Sequence, residues 1–212
     1  LVLKSNGGMM GVELAKDRPE EIIESGPAGG VAYVTYLSQQ LGFEKVIHTD
    51  MGGTTFDASI VEHGRGLVTH DYELEWDLPI IVPMLDIRSV GAGGGSIAWI
   101  DSGGSLRVGP QSAGADPGPI CYGMGGTEVS VTDANLLLGR LEPTLGGKID
   151  LDAASIQPAI AALGEQLGMD ALQTAEGIIA ISCENMAQAI KMVLVDRGRD
   201  PRDFVLASFG GA

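Results

Sequence analysis

Basic residues are scarce in this sequence. Its 212 residues include 13 Lys and Arg but 28 Asp and Glu, which gives a formal net charge of −15. Nucleic acids and anionic membrane surfaces are bound through basic surfaces, so this charge argues against both kinds of partner. A small phosphate ligand remains compatible with it, because backbone N–H groups and a metal ion hold phosphate without net positive charge.

Cysteines and long apolar runs are also few. Cys121 and Cys183 form no CxxC pair, which argues against a disulfide framework and fits a reducing, cytoplasmic setting. No unbroken apolar run reaches the roughly 18 residues of a membrane span. The first residues, LVLKSNGG, lack a signal-peptide pattern. The missing initiator Met and the final Gly-Gly step predict a segment of a longer chain.

Glycine, in contrast, is abundant. It accounts for 32 of 212 residues, about twice its average share of roughly 7%. The glycines lie in clusters between apolar segments, without a triplet or longer repeat. Such clusters indicate tight turns and close approach of the backbone to other backbone or to a ligand.

Apolar periodicity predicts a helix and then strands in the first part of the chain. The helix is predicted over 25–42, beginning near Ser25 or Gly26 and ending at Gly42. After it, a short buried strand at 45–50 and two alternating segments, 55–64 and 66–77, predict a meander of adjacent strands.

Helical spacing is most evident in the last third of the chain. One helix is predicted to begin with Thr132 or Asp133 as its cap, another covers 152–168, and the longest covers 174–198. A final strand is predicted near the end of the sequence. Strands, a glycine-rich insertion, helices and a last strand together indicate an α/β layered domain with a mixed sheet.

The stretch HTDMGGTTFDASIV (48–61) places a turn without bulky side chains between two strands. Its glycines let backbone N–H groups approach an anion, and its threonine hydroxyls add hydrogen bonds to phosphate oxygens. Asp50 fits such a site if it holds a hydrated Mg²⁺ or orients an attacking water. An ordinary tight hairpin, with Asp and Gly as turn formers, explains the same pattern. The turn residues are Gly52, Gly53, Thr54 and Thr55.

Other candidate residues each have two interpretations. Asp57 either supports the site electrostatically or faces solvent. Arg88 faces a carboxylate or phosphate, or forms an ordinary surface ion pair. Cys121 has no His nearby in the sequence, which favours a buried structural cysteine over a nucleophile, and Cys183 is expected in the core. The GAGGGS glycines line a substrate or nucleotide cleft, or form tight turns; they are Gly93, Gly94 and Gly95.

Several strings resemble one enzyme family. DMGGTTFD (50–57) is similar to the second phosphate loop of actin, sugar-kinase and Hsp70-type ATPases. With the further strings, which extend over nearly the whole chain, the sequence is identified as a member of the hydantoinase A/5-oxoprolinase family. These strings are SGPAGG (25–30), GAGGGSIAWID (91–101), VGPQSAGADPGPICYG (108–123), VTDANLLLGRL (131–141), ENMAQAI (184–190) and RGRDPRDFVLASFGGA (197–212).

The resemblance implies an actin-like ATPase fold of the ribonuclease-H type. It implies ATP-dependent opening of a cyclic amide, such as a hydantoin or 5-oxoproline, through phosphorylation of the amide oxygen, with ATP and Mg²⁺. It also implies a hydantoinase B-type partner subunit. Because related members carboxylate ketones through the same phosphoryl transfer, the nucleotide-binding subunit of a ketone carboxylase is an alternative. A non-catalytic, ATP-gated interaction module is another.

The resemblance also implies roles for particular residues. Asp50 is catalytic and holds Mg²⁺ through water. The glycines at 93–95 are substrate-cleft candidates. Such enzymes have a first phosphate loop and a His/Asp metal site that this sequence does not show, so the chain alone is expected to be inactive. The residues implied to bind nucleotide are Gly52, Gly53, Thr54, Thr55, Asp57, Gly210 and Gly211.

Four regions are predicted from these patterns. Residues 1–30 are the tail of a preceding subdomain, and 31–77 hold the strands of the ATPase lobe with its phosphate loop. Residues 78–147 form a glycine-rich insertion. Residues 148–212 complete the lobe with helices and the final strand.

Overall fold

The computed structural model describes residues 1–70, 72–74, 78–145, 147 and 149–212. It is an α/β structure with a mixed sheet and flanking helices. The α-helices are α1 (Val12–Asp17), α2 (Ser25–Leu41), α3 (Val131–Leu137), α4 (Ala153–Glu165) and α5 (Ala171–Val195). The strands are β1 (Val2–Leu3), β2 (Met9–Met10), β3 (Lys45–Met51), β4 (Phe56–Glu62), β5 (Arg65–Gly66), β6 (Val68–Thr69), β7 (Tyr72–Leu74), β8 (Leu78–Ile80), β9 (Met84–Leu85), β10 (Ile87–Val90), β11 (Ser96–Ile100), β12 (Leu106–Ser112), β13 (Thr144–Leu145), β14 (Ile149–Asp150) and β15 (Val205–Gly210).

The chain divides into two compact units. The first unit contains Leu1–Asp50, Asp57–Ser89 and Ala189–Phe209. The second unit consists of Met51–Phe56, Val90–Gln188 and Gly210–Ala212.

The first unit is built on a five-stranded sheet. Its strands follow the order β10-β4-β3-β15, and β5 pairs with β4 beside this path. Strands β3 and β4 are neighbours joined by only four residues, so the predicted hairpin between them is confirmed. The final strand, β15, is confirmed as well and lies next to β3.

Helix α2 covers this sheet with one apolar face. It ends as predicted at Gly42, whose φ of 73° is left-handed and whose N–H bonds to the carbonyl of Ser38. The buried residues of α2 recur at helical spacing, and they pack against apolar side chains of the strands. This cluster contains Ala28, Val31, Val34, Val46, Val61, Leu85 and Ile87.

The third strand of the predicted meander is confirmed only at its beginning. Gly66 of β5 pairs with Val61 of β4, but beyond it β10, and not the rest of the 66–77 segment, lies next to β4. The described parts of that segment form short strands instead: β6 pairs with β9, and β7 pairs with β8. Residues 71 and 75–77 lie outside the described residues. Alternation predicts which faces of a strand are apolar, but it carries no information about which strand becomes the neighbour.

The second unit has its own core. Strands β11 and β12 form an antiparallel hairpin, with Ala98 opposite Val108 and Trp99 opposite Arg107. Side chains of this hairpin pack with α3, α4 and α5, which confirms the three predicted helices. The buried cluster contains Ala98, Val108, Val129, Val131, Ala134, Ile160, Ala175, Ile178 and Ile179.

The N-cap of helix α3 lies two residues before Thr132 and three before Asp133, the two predicted caps. Ser130 is the N-cap: its hydroxyl accepts from the N–H of Asp133, and the Asp133 carboxylate accepts from the N–H of Ser130. Thr132 and Asp133 therefore lie inside the first turn. Sequence alone did not separate these positions, because Ser, Thr and Asp are all good caps.

Helix α5 is the one helix in the described part of the chain with the length and composition of a membrane span. Its most apolar 18-residue window has a mean hydropathy of 1.5, and 33% of that window is buried within the structure. Core helices of soluble proteins share these properties. In this chain α5 contributes Ala175, Ile178 and Ile179 to the core of the second unit.

Candidate functional site

The predicted phosphate turn lies at the surface of the second unit. The N–H of Gly52 donates to the carbonyl of Thr55 at 2.9 Å and closes the turn. Gly53, Thr54 and Thr55 are exposed. Within the described ranges, no backbone or side-chain acceptor meets the N–H groups of these three residues. The turn therefore presents free donors to solvent.

The carbonyl groups of the same turn are occupied by the GAGGGS glycines. Gly93 donates to Thr54 at 3.2 Å, Gly94 to Gly52 at 3.0 Å and Gly95 to Gly53 at 2.6 Å. A Cβ on Gly93 would lie 2.6 Å from the carbonyl oxygen of Gly52, so this approach requires glycine. The three bonds hold the turn from its carbonyl side and leave its N–H side open.

Gly210, one of the two glycines near the chain end that are implied to bind nucleotide, meets the residue that precedes this turn. Gly210 has a φ of 106°, and a Cβ there would overlap the carbonyl of Met51. The N–H of Ala212 donates to the same carbonyl at 3.3 Å. Three glycine-rich segments that are far apart in the sequence thus converge within the second unit.

A cleft of about 140 Å³ opens among these segments. We call it the glycine cleft. None of its lining side chains is charged. It is lined by Gly53, Gly94, Tyr122, Thr132, Asn135, Leu141, Gly211 and Ala212.

Buried hydrogen bonds around Asp133 position the non-glycine walls of the cleft. The Asp133 carboxylate accepts from the Cys121 N–H at 2.8 Å and from the Ser130 hydroxyl at 2.8 Å. Thr132 donates both its N–H and its hydroxyl to the carbonyl of Gly94. The PGPICYG and VTDAN strings are therefore fixed to each other and to the glycine segments.

The two aspartates of the DMGGTTFD string have different surroundings. Asp50 is half-buried near the end of β3, whereas Asp57 is buried in β4 and accepts a hydrogen bond from the Ser89 hydroxyl. Burial raises the pKa of Asp57, the charges of Glu24 and Asp50 raise it further, and the Ser89 hydrogen bond opposes them. The interpretation that Asp57 simply faces solvent is wrong, because its side chain is held inside the sheet.

The remaining chemical candidates are metal-ligand groups and the two cysteines. No group of three or more His, Cys, Asp or Glu suited to a metal ion occurs among the described residues. Cys121 is fully buried, and burial followed by the charge of Asp133 raises the pKa of its thiol, which confirms a structural role. The expectation that Cys183 lies in the core is wrong: it is exposed, on the outer side of α5. Arg88 is itself exposed and lies 3.8 Å from the buried carboxylate of Asp86, so it faces a carboxylate and does not form an ordinary surface ion pair.

The structure brings some predicted site residues together and reveals others. The cleft is lined by Gly53, Gly94 and Gly211. The N–H groups of Gly93 and Gly95 instead donate hydrogen bonds to carbonyls of the turn. Tyr122 and Asn135 were not selected as candidates from the sequence. Their only signal was that they are polar residues inside the two most distinctive family strings, PGPICYG and VTDANLLLGRL.

Comparisons with known proteins identify relatives over the full length of the chain. The caprolactamase subunit alpha of Pseudomonas jessenii is 43% identical over 212 residues, covering 99% of this chain and 30% of the relative. The acetophenone carboxylase gamma subunit of Aromatoleum aromaticum is 39% identical, covering 100% of this chain and 29% of the relative.

Two solved structures share the fold. Acetone carboxylase in its nucleotide-free form superposes with a TM-score of 0.87 at 32% identity, covering 100% of this chain and 30% of that one. The ATP-dependent caprolactamase of Pseudomonas jessenii superposes with a TM-score of 0.82 at 44% identity, covering 91% of this chain and 28% of that one.

These proteins are much longer than the chain described here, which spans about 30% of their length. The family model described as Hydantoinase/oxoprolinase matches residues 1–212, the whole of the sequence. The chain therefore belongs to the hydantoinase/oxoprolinase family.

Proposed function

We propose that this chain is the ATP-binding part of an enzyme that opens a cyclic amide with ATP hydrolysis. The observation that carries the proposal is the turn at 52–55, whose N–H groups are open while its carbonyls are bound. Successive free N–H groups of this kind form an anion-binding nest. Family membership and similarity to an ATP-dependent caprolactamase support it.

The fold we propose is the actin-like ATPase fold of the ribonuclease-H type. In it the 52–55 turn is the second phosphate loop, and Gly210 and Gly211 lie against the adenosine. The N–H groups and the Thr54 and Thr55 hydroxyls bind phosphate oxygens. The convergence of the glycine segments within the second unit supports this assignment.

Asp50 is the residue we propose for Mg²⁺, which it would hold through water. A half-buried carboxylate two residues before an anion-binding turn in the sequence suits this role, because Mg²⁺ retains most of its waters and takes one or two carboxylates. When bound, the ion neutralises the charge that develops on the phosphates. Asp57 supports the site electrostatically from within β4.

The proposed reaction begins with phosphoryl transfer to the amide oxygen. That oxygen bonds to the γ-phosphorus while the bond to the bridging oxygen breaks and its electron pair leaves with ADP. Water then adds to the activated carbon, and the ring C–N bond breaks with its electrons going to nitrogen. A second water releases inorganic phosphate from the acyl phosphate. The turn N–H groups contribute by binding charge on the transferred group.

A second candidate is the nucleotide-binding subunit of a ketone carboxylase. The similarity to acetone carboxylase and to the acetophenone carboxylase gamma subunit favours it. Both candidates use the same phosphoryl transfer, so the ATP site does not distinguish them. A partner subunit of the hydantoinase B type belongs to the proposal in either form, in keeping with relatives that are named as subunits.

A substrate screen of the full-length protein with its partner subunit tests the proposal. Hydantoin, 5-oxoproline, caprolactam, acetone and acetophenone are each supplied with ATP and Mg²⁺, with and without bicarbonate, and ADP release is measured. We expect ADP release with a cyclic amide, independent of bicarbonate. Release only with a ketone and bicarbonate would select the carboxylase. ATP-dependent binding of the partner with no turnover of any compound would indicate an interaction module instead.

A further inference from the structure

The open N–H groups of the phosphate turn share peptide planes with carbonyls that are bound. The carbonyl of Gly52 and the N–H of Gly53 belong to one planar peptide group, so a bond that fixes the carbonyl also fixes the direction of the N–H. The same holds for the next two peptide groups, which end in the N–H groups of Thr54 and Thr55. The three carbonyls accept from the N–H groups of residues 93–95. This segment therefore sets the direction of all three donors.

The composition of the turn makes such support from outside important. Gly52 and Gly53 have no side chain, so their backbone dihedrals are less restricted than those of other residues. Donors that are already aimed at a ligand bind it without a further cost of ordering. Donors aimed at the charge that develops during a reaction also stabilise the transition state. Whatever holds the 93–95 segment in place therefore contributes to phosphate binding.

Thr132 anchors the 93–95 segment from its other side. The carbonyl of Gly94 accepts from the Thr132 N–H at 2.8 Å and from the Thr132 hydroxyl at 2.9 Å. Thr132 is buried in the first turn of α3, which the capping box of Ser130 and Asp133 fixes. Among the hydrogen bonds that the structure describes for the carbonyls of this segment, the one from the Thr132 hydroxyl comes from a side chain, and the others come from backbone N–H groups. Thr132 is therefore the place where a substitution can remove an anchor.

We propose that Thr132 is a positioning residue for phosphate binding: its hydroxyl holds Gly94, and the 93–95 segment then aims the N–H groups of the turn. This rests on the proposed function and deepens it by naming what keeps the phosphate site organised. Thr132 acts on the nucleotide only through Gly94. All the bonds involved lie within the second unit, between residues 52 and 132.

Removal of the hydroxyl in the full-length protein tests this role. Thr132→Val removes the hydroxyl and keeps the volume, whereas Thr132→Ala removes both the hydroxyl and the methyl group. Thr132→Ser keeps the hydroxyl, so it differs from Thr132→Ala only in the atom under test. Thr174→Val is the matched control, because Thr174 is fully buried in the same unit and its hydroxyl donates to the carbonyl of Asp170 at 2.7 Å, away from the turn.

Two measurements are made on each variant: amide hydrogen exchange of the 93–95 segment without nucleotide, and the Kd of ATP·Mg²⁺ by calorimetry. In Thr132→Val and Thr132→Ala the segment should exchange about fivefold faster, as for the loss of one hydrogen bond. Their ATP·Mg²⁺ affinity should fall about fivefold, because fewer molecules hold the turn in its binding conformation. Thr132→Ser and Thr174→Val should stay within about twofold of wild type in both measurements.

Three results would overturn the role of Thr132 and leave the proposed function intact. One is exchange of the 93–95 segment at the wild-type rate in both variants that lack the hydroxyl. A second is faster exchange with an unchanged ATP·Mg²⁺ affinity. The third is an equal loss of affinity in Thr132→Ser or Thr174→Val, which would assign the effect to a general loss of packing. A wild type that does not bind ATP·Mg²⁺ is a different result, because it refutes the proposed function and this inference with it.

Discussion

Asp50 and Asp57 lie on neighbouring strands, but their carboxylates differ in burial and in hydrogen bonding. Asp57 is buried, and its carboxylate accepts a hydrogen bond from the Ser89 hydroxyl within the sheet. It is therefore not available to a metal ion in solution. Asp50 is half-buried near the strand end, and only Met51 separates it from the phosphate turn in the sequence. Of the two, Asp50 is the residue with a carboxylate available to hydrated Mg²⁺ or to an attacking water.

Replacing Asp50 by Ala in the full-length protein is expected to abolish ATP turnover, with a loss of at least roughly 100-fold, typical of removing one group that stabilises the transition state. The melting temperature should change little, because Asp50 is not in the core. ADP release and thermal unfolding measure the two effects. Asp17→Ala, an exposed change at the end of α1, is the control and should leave both unchanged. Undiminished hydrolysis in Asp50→Ala would remove Asp50 from the mechanism.

Gly30 and His48 illustrate a tight contact inside the first unit. His48 is fully buried in β3, and a Cβ on Gly30 of α2 would lie 2.6 Å from its Nε2 atom. A Cβ on the neighbouring Gly29 would lie 3.4 Å from a flexible Leu3 methyl group. Both glycines are inside one helix, but only Gly30 is required for packing.

Gly30→Ala is therefore expected to cost about 2 kcal/mol through overpacking, which lowers the melting temperature by about 4–8 °C. Gly29→Ala should be neutral or stabilising by up to about 1 kcal/mol, because alanine favours the helix. Thermal unfolding of the two single variants followed by circular dichroism makes the comparison. Equal destabilisation by both would show that helix α2 does not approach β3 as closely as described.

His48 also predicts a pH dependence of stability. Burial lowers its pKa, and the charge of Asp50 only partly opposes this effect. The unfolded chain takes up a proton at His48 below about pH 6.5, whereas the folded chain stays neutral there until lower pH. More protons bound in the unfolded state mean that stability falls as pH drops from about 6.5 to 5, by up to about 1.4 kcal/mol per pH unit.

His48→Gln should remove this fall in stability between about pH 6.5 and 5, while Asp57, whose pKa is raised by burial, has the opposite effect on stability in both proteins. Carboxylates with lowered pKa, namely those of Glu21, Asp101 and Asp200, lose their stabilisation only below their usual values of 4.5 and 3.8, outside this window. Melting temperatures of wild type and variant across pH 5 to 8 are the measurement. A wild-type profile that is flat through this window would contradict the prediction.

At the scale of elements, one ion pair holds the end of α5 to the sheet of the first unit. The Arg197 guanidinium contacts the carboxylate of Asp86, which is 3% exposed and lies between β9 and β10. Arg197 also donates to the Val193 carbonyl near the helix end. The pair between Arg202 and Asp200, in contrast, joins exposed side chains.

Arg197→Ala removes the closer of the two cationic partners of a buried carboxylate, leaving only Arg88 at 3.8 Å, and is expected to cost up to about 3–5 kcal/mol. Arg202→Ala breaks a pair of exposed side chains and should have little effect on stability. Chemical denaturation of the two variants distinguishes them. If both changes had the same small effect, the Arg197 pair would not be what anchors α5.

Elements that follow from local pattern could be predicted from the sequence. Helix α2 ends at Gly42 because that residue adopts a left-handed φ, and the β3–β4 hairpin forms because its turn contains no bulky residue. The partner of β4 could not be predicted, since β10 lies 25 residues beyond it and is selected by packing. The exposure of Cys183 was missed for a related reason: α5 is apolar on more than its buried side.

At the scale of the whole molecule, the candidate site combines segments that no local pattern links. The phosphate turn was visible in the sequence because its residues are consecutive. The glycine cleft was not, because it joins positions 53, 94, 122, 135 and 211. Asn135 looks like an ordinary polar residue in a short helix until the structure places it opposite these glycines.

The charge of the chain predicts how it binds ATP. Its net charge is −15, and neither the 52–55 turn nor the lining of the glycine cleft contains Lys or Arg. Repulsion of a triphosphate must then be offset by turn N–H groups and by Mg²⁺. The chain also spans only about 30% of the length of its relatives, so the remaining contacts of a triphosphate are expected from the rest of the protein.

Calorimetry should therefore show ATP binding by the full-length protein that disappears when EDTA removes Mg²⁺, since Asp50 repels phosphate once its cation is gone. The 212-residue chain alone should bind at least about 100-fold more weakly, a difference of about 2.7 kcal/mol, and should not hydrolyse ATP. The Asp17→Ala protein serves as the control for general loss of charge. Equal affinity in EDTA would contradict the role of Mg²⁺, and turnover by the short chain would show that its own turn and carboxylates suffice for phosphoryl transfer.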